Sequence, residues 1–288
     1  MIIEKWTRRD LLKWSAVGMA SMAPGVLAQS KKRISIGVQL WSVRGDCAKD
    51  FDAALKQIAD LGFEGVEFAG YYKYQDDPAG LKKKLDELSL KAAGTHINAN
   101  SFVGDRLRKT IDFHRAIGCS YLIVPGDDRF TDPEQSKQYA EAMSKAAEAL
   151  KREGMFCGHH NHTMEFKRID DTTYWHLFAE RTNKDVVLEM DIGWVRAAGM
   201  DPVELMKKYP GRVRLTHVKA KPQGGMGKFF VGQDEYDWKR VLSACYDVGG
   251  SEWFLIEQED YPEGKSPMEC TRISIDGLKG ILKGMGKS

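Results

Sequence analysis

None of the five cysteines (Cys47, Cys119, Cys157, Cys245 and Cys270) pairs with another as C-x-x-C, and their spacing matches no zinc finger. An odd count argues against a disulfide framework, so they read as small buried apolar residues of one sizeable core. Neither sign of charge is in excess: 43 basic residues against 41 acidic ones leave +2. That balance gives no support for a nucleic-acid partner. After the N-terminus no run of about 18 apolar residues occurs, which argues against an internal transmembrane helix. No G-x-G-x-x-G phosphate loop is present, and no linker or low-complexity stretch marks off a second domain.

The N-terminus reads as an address. Residues 1–10 are mostly polar and carry adjacent Arg8 and Arg9. Residues 11–27 are mildly apolar, broken by Gly18 and Pro24, and Val26-Leu27-Ala28 suits a cleavage site. The string Thr7-Arg8-Arg9-Asp10-Leu11-Leu12-Lys13 resembles a twin-arginine export signal. Residues 1–28 are therefore expected to be a signal peptide and 29–288 a single domain. The protein is expected in the periplasm or otherwise outside the cytoplasm; an uncleaved segment would act as an anchor.

From about residue 32 onward, short β-type runs alternate with longer helical ones. Strands are expected at 34–41, 65–68, 91–96, 121–124, 156–160, 186–191, 213–218 and 253–257. Helical spacing follows at 51–61, 78–88, 107–117, 132–152, 172–181, 202–209, 237–248 and 267–284. Asp132-Pro133 and Asp201-Pro202 supply helix starts. Such repeated units predict an α/β fold, a single-domain (β/α)8 TIM barrel. A doubly wound open sheet would want a glycine-rich loop after its first strand, where Ser42-Val43-Arg44-Gly45-Asp46 stands instead. The glycine-rich stretch that does occur, 223–227, follows the seventh strand.

In such a barrel the chemistry gathers at the C-terminal strand ends. Those ends carry Gln39 and Trp41, Glu67, His96, Pro125-Gly126, His160 and His162, Asp191, His217 and Lys219, and Glu257. One Glu or His at a strand end is usually a satisfied core-edge group. Five or more on one rim are not explained by packing, because ionised acids gathered there need a cation or water to balance them. Asp191, His217 and Glu257, with a fourth ligand from strand five, would hold a divalent metal. Around strand five, residues 155–166 read Met-Phe-Cys-Gly-His-His-Asn-His-Thr-Met-Glu-Phe, with three of the seven histidines. Alternation puts Gly158, His160 and His162 on one face and His159 and Asn161 on the other.

These residues resemble the xylose-isomerase-like barrel superfamily of sugar isomerases and epimerases, often labelled sugar phosphate isomerase/epimerase. The resemblance rests first on Gly37-Val38-Gln39-Leu40-Trp41, Gly65-Val66-Glu67-Phe68 and His160-Asn161-His162-Thr163-Met164-Glu165-Phe166. Met190-Asp191-Ile192-Gly193-Trp194, Asp201-Pro202, Thr216-His217-Val218-Lys219 and Ile256-Glu257-Gln258-Glu259-Asp260 complete it. It covers the chain from about residue 34 to the end, and the strings are specific only together, in this order. It implies one divalent cation held by strands five to eight, manganese foremost, with cobalt, magnesium or zinc as alternatives. Asp191, His217 and Glu257 match three ligand positions. His160 stands where the family's strand-five glutamate falls; either His160 ligates, or the loop bends so that Glu165 reaches the metal. The strand-end position favours His160. Trp194 stands where many sugar epimerases have a substrate-binding histidine. Both departures point away from simple ketose epimerisation, toward members acting on larger or oxidised sugars, including 3-keto-glycosides.

The resulting expectation is a metal-dependent isomerase or epimerase of a small-molecule carbohydrate, a keto-sugar or 3-keto-glycoside. It would abstract a proton next to a carbonyl, with the metal stabilising an enediolate. Glu257 is the expected base, and His160, Glu165 or His162 would return the proton. Glu67, His96, His162 and Lys219 are expected to bind substrate, and Trp41 and Trp194 to stack on its ring. A lyase or glycoside-cleaving enzyme using the same chemistry is the close alternative. A non-enzymatic periplasmic sugar-binding barrel is a second class, and a three-zinc DNA-repair endonuclease, disfavoured by the near-neutral charge, a third. Export speaks against a phosphorylated substrate. No membrane partner is expected once the signal is removed, and self-association is left open.

A reporter fused to residues 1–35 is expected to leave the cytoplasm by the twin-arginine route, and the Arg8→Lys/Arg9→Lys double variant to stay behind. Undiminished export of the double variant would sink the signal assignment.

Overall fold

Eight short runs, most of them rich in β-branched and aromatic residues, form β1 (Ser35–Gln39), β2 (Gly65–Phe68), β3 (Lys91–His96) and β4 (Tyr121–Val124), then β5 (Phe156–His160), β6 (Val187–Asp191), β7 (Leu215–Val218) and β8 (Trp253–Ile256). All pair in parallel, and β1 pairs with β8, closing a barrel. The structure, a computed structural model, describes residues 33–220, 230–262 and 264–287. Residues 1–28, expected to be a signal peptide, and the 223–227 stretch lie outside them. The principal helices are α1 (Phe51–Asp60), α2 (Pro78–Glu87), α3 (Asp105–Ile117), α4 (Ser136–Lys151), α5 (Tyr174–Arg181), α6 (Pro202–Lys208), α7 (Trp238–Ala244) and α8 (Pro267–Gly284). The TIM barrel expected from the alternation is the fold observed.

Differences from the expected bounds have local causes. Trp41 lies past β1, in a tight helical turn, Leu40–Val43. α4 begins at Ser136 because Asp132 Oδ1 first accepts the N–H groups of Glu134 and Gln135, both at 2.8 Å, in a separate turn. A short helix, Ile192–Ala197, follows β6 directly, and all five cysteines are buried and unpaired. No helix among the described residues is long and apolar enough to cross a membrane.

Inward positions recur every second residue, and they change character along the barrel axis. Val187, Leu215 and Leu255 join Ala93, Tyr121 and Ile123 in an apolar plug at the N-terminal end. Two residues further along the same strands stand Glu189, His217 and Glu257, and beyond them Asp191 and Lys219. A larger apolar cluster between strands and helices carries the rest of the core. Glycine is required where β5 meets β6: a Cβ on Gly158 would come within 2.5 Å of the Val187 carbonyl oxygen. That close approach registers His160 with Glu189, and β6 in turn registers Asp191 with His217.

Between barrel and helices sits a buried polar relay. His114 Nδ1 lies 2.6 Å from the Thr110 carbonyl, which can only accept, so that nitrogen carries the proton. His114 Nε2 then accepts from the Tyr71 hydroxyl at 2.7 Å, and Tyr71 accepts from Thr95 Oγ1 at 2.6 Å. Burial pushes the imidazole down from 6.5 to about 4. The unfolded chain therefore binds the extra proton first. Stability from this histidine is full above pH 6.5 and is lost as pH falls from there toward 4. The loss amounts to about 3 kcal/mol. Urea midpoints of wild type and His114→Gln across that window are expected to converge as pH falls. Parallel pH profiles would remove His114 from the account.

Candidate active site

Strands β5 to β8 each deliver one polar side chain to a common point. His160, Asp191, His217 and Glu257 are all buried, and one ligand atom from each lies within 4.8 Å of the others. His160 Nε2 is 3.7 Å from Asp191 Oδ2, and His217 Nδ1 is 3.8 Å from the same oxygen and 3.1 Å from Glu257 Oε2. Asp191 splits its two oxygens. Oδ1 accepts the Trp194 N–H at 2.8 Å, capping the short helix, whereas Oδ2 has no hydrogen-bond partner among the described residues. Neither ring nitrogen of His160 has one either. The Asn161 amide clamps the Asp191 backbone: Asp191 N–H donates to Asn161 Oδ1 at 3.0 Å, and Asn161 Nδ2 donates to the Asp191 carbonyl at 3.3 Å. A buried polar atom left unpaired costs about 1–3 kcal/mol. Asp191 Oδ2 and His160 Nε2 facing one point, in a set of two imidazoles and two carboxylates, fit a divalent first-row cation.

A second layer supports the first. His217 Nε2 donates to Glu67 Oε2 at 2.7 Å, and that oxygen also receives the Gln39 amide at 2.7 Å. His96 Nε2 lies 2.8 Å from Glu189 Oε2 and 3.5 Å from Glu67 Oε2. A bulge between Val66 and Glu67 interrupts the β2–β3 register. Gly94 leaves the room the carboxylate uses, since a Cβ there would lie 2.8 Å from Glu67 Oε1. One nitrogen of His217 thus faces the acids above while the other is tied to a carboxylate below, the arrangement that fixes a ligating imidazole. Burial and neighbouring Glu189 raise Glu67 to about 7. Burial opposes protonation of His217, but Glu189, Glu67 and Glu257 outweigh it and hold the ring well above its ordinary value.

Lys219 is the single lysine in this space among the described residues, 3 % exposed. Its Nζ lies 3.2 Å from Glu257 Oε2 and 3.8 Å from Asp191 Oδ2, is bonded to Glu259, and stands 4.4 Å from the Trp194 ring centroid. Burial resists ionisation of Glu257, but Lys219 and His217 prevail and hold its carboxyl well below the usual range. Above the quartet opens a cavity of about 570 Å³ whose lining includes Trp41, His96, His160, His162 and Glu257. The His162 ring sits edge-on to His160 at 4.8 Å and 5.7 Å from Trp194, and burial lowers its pKa. Trp41, 45 % exposed, forms part of the rim under the Arg44 guanidinium.

The structure thus brings His160, Asp191, His217, Glu257, His96 and Lys219 together and sets His162 and Trp41 on the cavity wall. Glu67, expected to bind substrate, is wholly buried and meets His217 instead. Strand alternation, with Val66 and Phe68 in the outer cluster, puts it inside and below the mouth. Glu165 stays outside the quartet: its carboxylate accepts the His162 N–H at 2.8 Å and faces His159 Nε2 at 3.6 Å. His159 points away from the barrel axis and bonds the Tyr139 hydroxyl at 2.8 Å. Sequence reasoning passed over Glu189 and Asn161. Glu189 had a signal, since it precedes Asp191 by two residues and must share its face. Asn161 had none, because its partner is backbone.

Comparisons with known proteins fit this geometry. The inosose dehydratase of Lacticaseibacillus casei is 25% identical over 264 residues, covering 76% of this chain and 85% of that protein. A solved sugar phosphate isomerase/epimerase of Parabacteroides distasonis ATCC 8503 is 25% identical, with a TM-score of 0.71 over 86% of this chain and 98% of that one. A solved L-ribulose 3-epimerase, 15% identical, has a TM-score of 0.65 over 87% of this chain and 95% of its own, a likeness of fold. The sequence model of the family described as xylose isomerase-like TIM barrel matches residues 55–280, and the chain belongs to that family.

Proposed function

We propose that the protein is a divalent-metal-dependent enzyme that abstracts a proton next to the carbonyl of a carbohydrate, as an isomerase or epimerase. The observation that carries this reading is the convergence of the unpartnered His160 and Asp191 atoms with His217 and Glu257 at the floor of a cavity. His160, Asp191, His217 and Glu257 would hold the ion; manganese is the expected one, with cobalt, magnesium or zinc as substitutes. When bound, such a cation supplies a Lewis acid for the carbonyl and its neighbouring hydroxyl.

The chain's own groups supply the rest. Glu257 takes the proton: it lines the cavity, and Lys219 and His217 both engage its Oε2, which leaves Oε1 for the C–H. Lys219 and His96 orient substrate oxygens, and Trp41 offers a ring face for the sugar; Trp194, expected to do the same, lies against Lys219 and His162 and does not line the cavity. His162, on the cavity wall, would enter the reaction as the imidazolium and give that proton to carbon. Glu67 acts as a positioning residue through His217. Elimination is the second reading, favoured by the dehydratase name of the Lacticaseibacillus relative. There the proton from His162 goes to a departing hydroxyl instead. Both outcomes begin with the same abstraction. The twin-arginine segment would place this activity outside the cytoplasm.

Metal content separates the ligands. Asp191→Ala and His217→Ala are expected to lose the ion, His160→Ala to hold it weakly, and Glu165→Ala to keep it. Glu67→Gln, which changes the group beneath His217 and leaves the quartet itself intact, should weaken binding about 10- to 100-fold. Loss of metal from Glu165→Ala with His160→Ala intact would move the fourth ligand to Glu165.

Solvent exchange tests the base. In deuterated water the wild type is expected to exchange the hydrogen next to the carbonyl of a keto-sugar substrate. Glu257→Gln should still bind that sugar but lose about 10²–10⁴-fold in turnover, and exchange with it. Wild-type turnover with no deuterium in substrate or product would point to a hydride shift instead.

A further inference from the structure

Lys219 stands two residues after His217, just past β7, so its side chain shares the inner face. Its stem is fitted closely. A Cβ on Gly193 would come within 3.0 Å of Lys219 Cγ and 2.7 Å of the Ala220 carbonyl oxygen, so the glycine leaves the room the stem uses. Three carboxylates meet the ammonium. Two belong to the quartet, Glu257 Oε2 at 3.2 Å and Asp191 Oδ2 at 3.8 Å. The third, Glu259, is bonded to Nζ but stands outside the quartet, on the cavity wall, with its side chain 29 % exposed.

The oxygens that Lys219 engages are the ones an ion would need. Asp191 Oδ1 is taken by the Trp194 N–H, so Oδ2 is the oxygen this residue has to offer. Glu257 Oε1 is the oxygen that faces the C–H in the reaction, which leaves Oε2 for the ion. A separation of 3.8 Å is too long for a hydrogen bond, so the ammonium holds Asp191 Oδ2 by charge alone. Two cations drawn to the same pair of oxygens repel each other strongly where little water screens them. For the ion to bind at full strength the ammonium must give ground. Glu259 offers a counter-charge outside the quartet, and Nζ already touches it.

We propose that Lys219 competes with the metal ion for Glu257 and Asp191, and that Glu259 takes the ammonium when the ion binds. This rests on the reading of His160, Asp191, His217 and Glu257 as the ligands. The affinity of the quartet is then set by the Lys219–Glu259 pair as well as by the ligands themselves. Binding is also ordered: the ammonium is drawn toward the cavity wall, where it can meet substrate oxygens, only after the ion is in place.

The test is a calorimetric titration of the full chain, stripped with a chelator and refilled with Mn²⁺, and it needs no turnover. Lys219→Met is expected to bind Mn²⁺ about tenfold or more tighter than the wild type, because the competing charge is gone. Glu259→Gln is expected to bind it about tenfold weaker, because the ammonium loses its other partner. Glu259→Gln added to Lys219→Met should change little, since Glu259 acts through the lysine. Lys219→Gln, which keeps a neutral donor between the carboxylates, takes the place of Lys219→Met if that variant does not fold. Unchanged or weaker binding on loss of the lysine overturns the competition, because a lysine that only props the ligands gives that sign. A Glu259→Gln loss of equal size with and without the lysine also overturns it, since Glu259 would then act on the ion directly. A wild type that takes up no Mn²⁺, Co²⁺, Mg²⁺ or Zn²⁺ overturns the ligand set and the competition with it. A wild type that binds an ion and loses it in Asp191→Ala keeps the ligand set, whatever the lysine variants do.

Discussion

Carboxylates inside a closed barrel are the constraint on which the rest depends. Glu67, Glu189 and Asp191 have no exposed surface and Glu257 has 5 %, yet the interior offers little water to solvate them. Burying unpaired charge is prohibitive, so the acids must be matched from within. Lys219, His96 and His217 are the matching groups, and the neighbouring carboxylates raise both imidazoles. Four acids against three potential cations leave a deficit of one. The protein's own groups meet it by spreading the strain: Asp191 is pushed well up by burial, with Glu257 adding to it against Lys219. A divalent ion at the same point would meet that deficit directly, which is why the donor set reads as a metal centre.

The same constraint orders the barrel into levels. The apolar plug of Tyr121, Ile123, Leu215 and Leu255 closes one end, so polar side chains can collect only toward the other. Glu67 and Glu189 form a level that holds the histidines, and Asp191, His160 and Glu257 form the level that faces the cavity. His217 belongs to both, with one ring nitrogen in each. Its position is therefore set from two sides, and a change below the site should be felt at its surface.

How far the sequence reveals this depends on which interactions are local. The barrel was legible because strand and helix periodicities alternate and because Asp201-Pro202 marks a helix start; Asp132-Pro133 does not, since its helix begins at Ser136. His160, Asp191, His217 and Glu257 were legible because each ends an apolar run, where packing gives no reason for a charge. Glu189 was hidden inside such a run, where it reads as an interruption rather than a site. The depth of Glu67 was not legible: its inward face follows from alternation, but its place beneath His217, with room left by the missing Cβ of Gly94, is a fact about neighbouring strands. The extra turn at Asp132 and the helix Ile192–Ala197 were missed for the opposite reason, being too short for periodicity to register.

His162 stands where the outcome of the proposed reaction would be decided. Its ring lies against His160 and its residue lines the cavity above the quartet. If its imidazolium gave the proton to the carbon that Glu257 would deprotonate, the result would be epimerisation or isomerisation. If a hydroxyl on the next carbon lay nearer, the electron pair left on carbon would form the double bond, the C–O bond would break, and the departing water would carry that proton away. The same base and the same acid would serve both, and the placing of the leaving group against His162 would decide between them.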